Sequence, residues 1–239
     1  MAERPARWTD LRRFTDARVG LGRSGNGLPT QAALDFAAAH ALARDAVHGA
    51  LDLDALRAAI PDLIAVRSAA PDRATYLRRP DLGRALHPDD RASLPRTAPE
   101  FAFLIADGLC AAGVQAQAAA LIAEAGRHGL AGPVVAAAQA RVALGDAVGD
   151  ALGAKAIAVI IGERPGLSAP DSVGIYLTWQ PRPGRTDAER NCISNIRPGG
   201  LSCADAAAKL AWLVREMRRI RSTGIMLKDE QPARPRIAG

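Results

Sequence analysis

The chain is 239 residues long, 49% hydrophobic and 23% charged, ordinary proportions for a globular protein long enough to bury a real core. No stretch of about 18 apolar residues free of charge occurs, which excludes a membrane-spanning helix, and the start MAERPARWTDLRRF has no apolar h-region. The net charge is +6, but the cations are scattered arginines, often beside acids as in Asp72-Arg73, and aromatics are only 4%. Nucleic-acid modules cluster their cations and add stacking rings, so solvated or inter-subunit ion pairing is expected instead.

In chain order, residues 1–27 are Arg-rich and close on a glycine-dense turn, Gly20 to Gly27. No strand precedes those glycines and neither nucleotide-loop spacing is met, so they read as a connection into the next element. Leu28-Pro29-Thr30 opens a helix with an apolar stripe of Leu34, Phe36, Ala37, Ala41, Leu42 and Val47. His40 and His48 lie two turns apart with no acid at ligand spacing, which favours a structural role. A short helix over 52–60 stops at Pro61, 63–66 reads as a strand, and 76–80 as an extended segment before an Arg- and Pro-rich run to Pro99.

Beyond residue 100 the pattern becomes alternating strands and helices. Strands are expected at 101–106, 134–138, 156–161 and 173–179, and helices at 109–126, 142–152 and 204–221. Continuous apolar runs such as AIAVII suit strands buried on both faces. The alternation predicts an α/β fold, a Rossmann-like, doubly wound, mainly parallel sheet over 100–239, preceded by a helical and irregular region over 1–99. Ligands in such folds sit beyond the carboxyl ends of the strands, so the loops after Ala106, Ala138 and Ile161 are the candidate site.

The chemistry of those loops is not that of a self-sufficient enzyme. The first, Asp107-Gly108-Leu109-Cys110, lacks the dinucleotide fingerprint; no G-x-S-x-G elbow, zinc spacing or D-x-H-x-x-G cobalamin-histidine signature occurs. No catalytic set and no metal site are expected. Cys110, Cys192 and Cys203 form no C-x-x-C pair, which points to a reducing cytosolic setting without disulfides. The loop Ile161-Gly162-Glu163-Arg164-Pro165-Gly166 places both charges and a stiffened, close-approach backbone after the strongest strand. A polar stretch, Asp187 to Gly200, carries Cys192, read as a small packed group.

Six strings carry a resemblance: FTDARVGLGRSGNGLPT (14–30), DRATYLRRPDLGR (72–84), RVALGD (141–146), IGERPGLSAPDS (161–172), PRPGRTDAERNCISNIRPGGLS (181–202) and AAAKLAWLVRE (206–216). Together and in order they resemble the small subunit of ethanolamine ammonia-lyase, over roughly residues 9–228. The resemblance implies adenosylcobalamin (coenzyme B12) as cofactor, deamination of ethanolamine to acetaldehyde and ammonia, and activity only in a hetero-oligomer with a large barrel subunit that holds the substrate. It also implies cobalamin contacts at Val142, Glu163 and Cys192, with the cofactor's own dimethylbenzimidazole kept on cobalt. Region 1–99 would dock the partner, with the Arg-rich stretches 4–23 and 73–96 as candidates. The location implied is cytoplasmic, packaging in a bacterial microcompartment being left open. A second reading from the residues alone also stands: a non-catalytic, Arg-rich, Rossmann-like module binding anions or nucleotides.

Overall fold

The computed structural model describes residues 11–231, so residues 4–10 of the first Arg-rich stretch lie outside the described residues. Two helices, α1 (Thr30–His48) and α2 (Leu53–Ala59), lead to strand β1 (Ile64–Arg67). Short helices α3 (Arg73–Arg78) and α4 (Pro88–Ser93) follow. Then come β2 (Ala102–Ala106), α5 (Ala111–Arg127), β3 (Val134–Ala138), α6 (Leu144–Leu152), β4 (Ala156–Gly162), β5 (Val173–Trp179), β6 (Arg190–Ile196) and α7 (Cys203–Ile220). The strands form one sheet in the order β1-β3-β2-β4-β5-β6. The β1-β3, β3-β2 and β2-β4 pairs are parallel; β5 runs antiparallel to both β4 and β6.

The apolar runs explain the layers. Successive side chains of a strand point to opposite faces, so a strand buried on both must be apolar throughout. Phe103, Ile105, Ala158 and Ile160 face one core, with Val114, Ala118 and Leu121 of α5 and Leu210, Leu213 and Val214 of α7. Leu104, Ala106, Val159 and Ile161 face the other, with Leu144, Val148 and Leu152 of α6. Each Leu, Ile, Val or Phe side chain among them contributes about 1.5–3 kcal/mol on burial. The result is a mixed α/β architecture around a mostly parallel six-stranded sheet. Gly153, at φ +72°, ends α6 and returns the chain into β4.

The expected strands and long helices occur where the patterns place them, and three readings need correction. The segment read as extended from Tyr76 begins inside helix α3, because the Asp72 side chain accepts the Thr75 amide and caps it. The polar stretch holding Cys192 contains a strand, β6, since Arg190, Ile193 and Ile196 turn inward while Cys192, Ser194 and Asn195 stay exposed. The stripe on α1 does not form core. Ala32 and Ala43 are buried, whereas Leu34 and Leu42 are 59% and 62% exposed. Strand β1, from before residue 100, is hydrogen-bonded into the same sheet as the later strands.

Candidate functional site

The carboxyl ends of β2, β3 and β4 meet at one edge, and their loops are locked together by backbone-scale contacts. Gly108 has φ +54°, and a Cβ there would lie 2.2 Å from the Gly162 carbonyl oxygen. Only glycine lets those two loops touch. Asp107, 1% exposed, fixes the third loop: its Oδ1 accepts the Ala140 amide at 2.9 Å and its Oδ2 the Gln139 amide at 2.8 Å. Arg73 donates to Oδ2 as well, at 2.9 Å. Burial pushes the Asp107 carboxyl up, and those amide bonds pull it back.

Tyr76 is the post behind these loops. Fully buried, its hydroxyl proton is shared between the carbonyls of Gly108 at 2.9 Å and Ala140 at 3.1 Å. Its ring lies between two guanidinium groups, Arg73 at 4.8 Å and Arg141 at 4.3 Å from the centroid. Burial, with nearby Asp107 second, pushes its hydroxyl up to about 12, so it is a neutral hydrogen-bond donor at any physiological pH.

In front of this frame runs a trough of two adjoining clefts. The first, about 400 Å³, is lined by Gly108, Arg141, Val142, Gly162, Glu163 and Tyr176. The second, about 650 Å³, continues past Arg141, Val142 and Tyr176 to Arg84, Arg164 and Thr186. The N-terminal segment braces one side of the loop after β4: Arg18 Nη2 donates to the Leu167 carbonyl at 3.1 Å, and Ser168 Oγ donates to the Asp16 carbonyl at 3.2 Å.

The three residues singled out by the resemblance fall together around Tyr176. Val142, half-buried just before α6, lines both clefts. Glu163 lines the first, with its carboxylate drawn back over the β5–β6 end; it accepts from the Ser172 hydroxyl and, at 3.3–3.4 Å, from the Asn195 amide. Cys192 pairs with Tyr176 in the β5–β6 register. Cys192 is exposed as a residue, but its thiol lies against Tyr176, where partial loss of water pushes it above its ordinary range, against a hydrogen bond with Tyr176 that lowers it. Tyr176 is likewise held protonated, by burial first and by Cys192 and Glu163 after it.

Sequence reasoning missed Tyr76, Asp107, Arg141 and Tyr176. Asp107 carried a signal, a lone carboxylate straight after a wholly apolar strand. Arg141 carried another, standing directly before Val142. All three cysteines are free, and among the described residues no group of three or more His, Cys, Asp or Glu could hold a metal. No helix of the described residues is long and apolar enough to cross a membrane.

A trough of guanidinium, phenol, carboxylate and backbone groups at the carboxyl edge of a mostly parallel sheet is where α/β proteins of this class carry their ligand sites. Comparisons with known proteins narrow that class. The family model described as ethanolamine ammonia-lyase light chain matches residues 5–228. The ethanolamine ammonia-lyase small subunit of Bradyrhizobium diazoefficiens is 54% identical, covering 96% of this chain and 94% of its own. That of Rhodopseudomonas palustris is 51% identical, covering 92% and 89%. That of Xanthomonas campestris pv. campestris is 48% identical, covering 93% and 88%. The chain belongs to the ethanolamine ammonia-lyase light-chain family.

Proposed function

We propose that this chain is the cobalamin-holding small subunit of an ethanolamine ammonia-lyase, active only with a larger barrel subunit. The observation that carries the reading is the convergence of Val142, Glu163 and Cys192 on Tyr176 beside one open trough. The residues fit the group: cobalamin's rim of amides needs both donors and acceptors, and the trough offers both. Arg141 Nε is buried there without a hydrogen-bond partner. When bound, adenosylcobalamin supplies the radical chemistry that turns ethanolamine into acetaldehyde and ammonia.

The chain's own part is to bind, orient and exclude water. Glu163, oriented by Ser172 and Asn195, uses its remaining lone pairs to accept ligand amides. Val142 offers apolar contact, and Cys192 packs as a protonated, polarizable group. The Rossmann-like shelf of residues 100–239 covers one side of a large flat cofactor, while enclosed sites bury about 70–90% of a ligand. The second wall therefore comes from the partner, which also holds ethanolamine and keeps water from reactive intermediates. Region 1–99 is the docking side: it carries the Arg-rich stretches and the outward apolar residues of α1. The place of action is the cytoplasm, in a microcompartment where the host builds one. The family match does not favour a free-standing anion-binding module.

Mixing the chain with the large subunit and cobalamin should give a complex that carries corrin absorbance and deaminates ethanolamine. Ammonia release by the isolated chain would defeat the shared-site reading.

A further inference from the structure

The wider cleft gathers charge that no acidic group among the described residues pairs with. Arg84 ends the short turn Leu82–Arg84, Arg141 stands three residues before α6, and Arg164 follows Glu163 in the β4 loop; all three line this cleft. None of them makes an ion pair among the described residues. The fourth lining arginine, Arg185, is engaged by Glu189. The lining carboxylate, Asp187, faces Arg190 at 3.4 Å. Three uncompensated cations around one concavity repel each other, an arrangement that an anion relieves.

Arg141 is prepared for such a ligand. Its guanidinium is stacked on Tyr76 at 4.3 Å, its amide is tied to the Gly83 carbonyl at 2.8 Å, and its buried Nε has no hydrogen-bond partner. Little side-chain freedom remains to be lost on binding. The start of α6 opens on the same cleft through Val142 and Ala143; its first amides already donate to the Arg141, Val142 and Ala143 carbonyls, so it contributes field rather than free donors. A helix start adds positive potential where an anion would sit.

We propose that Arg84, Arg141 and Arg164 form an anion subsite that takes a phosphodiester, that of the nucleotide tail of the corrinoid. This inference rests on the cobalamin-holding function proposed above. The corrin rim is made of neutral amides, for which one donor or acceptor each suffices. The tail carries a delocalised negative charge with two free oxygens, the geometry that planar guanidinium forks match. Arg141 is the fixed donor behind the phosphate, and the exposed Arg84 and Arg164 close on it from the two flanking loops.

The test compares two corrinoids on the assembled complex of this chain with its large subunit. Cobalamin has the phosphate-bearing tail; cobinamide keeps the corrin ring and amides but lacks the phosphate. Binding is read by corrin absorbance in equilibrium dialysis, independently of turnover. Arg84→Gln/Arg164→Gln, two exposed changes, should weaken cobalamin by about 10- to 150-fold and leave cobinamide unchanged. Arg141→Gln should act in the same direction, with thermal unfolding as its folding control. Inorganic phosphate should compete with cobalamin and not with cobinamide. Equal losses for both corrinoids, or for neither, overturn the subsite. Phosphate that binds tightly without displacing cobalamin makes free phosphate the ligand and overturns the tail assignment. A wild-type complex that binds neither corrinoid refutes the proposed function itself, an outcome distinct from the failure of the subsite.

Discussion

Replacing Arg190 by methionine removes half of an ion pair that is almost wholly out of water. The guanidinium donates to both Asp146 oxygens, at 2.8 and 2.7 Å, to Thr178 Oγ1 at 3.0 Å and to the Arg185 carbonyl at 3.1 Å. The two side chains are 1% and 3% exposed. Methionine retains much of the length but leaves the Asp146 carboxylate buried without its fork. Deleting one partner of such a pair costs about 3–5 kcal/mol. For a chain of this size each kcal/mol moves Tm by about 2–4 °C, so R190M should melt about 6–20 °C lower. Removing both charges, as D146L/R190M, should recover most of the loss, because a whole buried pair exchanged for apolar groups is often near neutral. Thermal melts and urea titrations followed by circular dichroism give both numbers. A loss below about 1 kcal/mol in R190M, the scale of an exposed pair, would refute the reasoning. The pair also bears on the trough. Asp146 lies four residues after Val142 and Arg190 two before Cys192, so this contact ties together the segments that carry two of the proposed cofactor contacts.

Further outcomes follow from the same geometry. Glu163→Ala should weaken cobalamin binding to the complex by about 10- to 150-fold, measured by corrin absorbance; an unchanged affinity would remove Glu163 from the site. Cys192→Ala should keep measurable turnover at a raised cofactor dissociation constant, and because burial pushes the thiol up, alkylation of Cys192 at neutral pH should be slower than in the unfolded chain. Loss of turnover at full cofactor loading would instead give the thiol a chemical role. The Glu189 carboxyl is held at about 2, first by the Thr186 amide and then by the Arg185 guanidinium. Its folded value lies below its ordinary 4.5, so its stabilisation is complete above 4.5 and is lost as pH falls from there toward 2. Glu189→Gln should flatten that limb of the Tm-against-pH curve, and an unaltered limb would contradict the assignment.

What could be read beforehand was what local pattern determines. AIAVII reads as a strand because burial on both faces demands an unbroken apolar run, and Val142–Leu152 as a helix because Gly153 stops it. Strand β6 escaped because it lies at the sheet's edge with one polar, exposed face, so its apolar positions are only Ile193 and Ile196. Helix α3 escaped because a single capping carboxylate, Asp72, outweighs a short ambiguous segment. The antiparallel course of β5 follows from the short, helix-free connection from Gly162 to Val173, which leaves no room for the crossover a parallel neighbour needs. In the candidate site, the proposed contacts Val142, Glu163 and Cys192 rest on family motifs. The frame behind them was not legible. Asp107 reaches Arg73 and Ala140 from 34 and 33 residues away, and Tyr76 reaches Ala140 from 64, contacts that no local periodicity encodes.

The cobalamin-shelf assignment is tested most directly by gel filtration of this chain with cobalamin, with and without the large subunit, monitored at the corrin absorbance. The account predicts that corrin co-elutes with the two-subunit complex, scarcely with this chain alone, and that E163A reduces the co-eluting corrin while leaving the complex assembled. Corrin that follows the large subunit equally well in the absence of this chain, or a complex indifferent to Glu163, would contradict it.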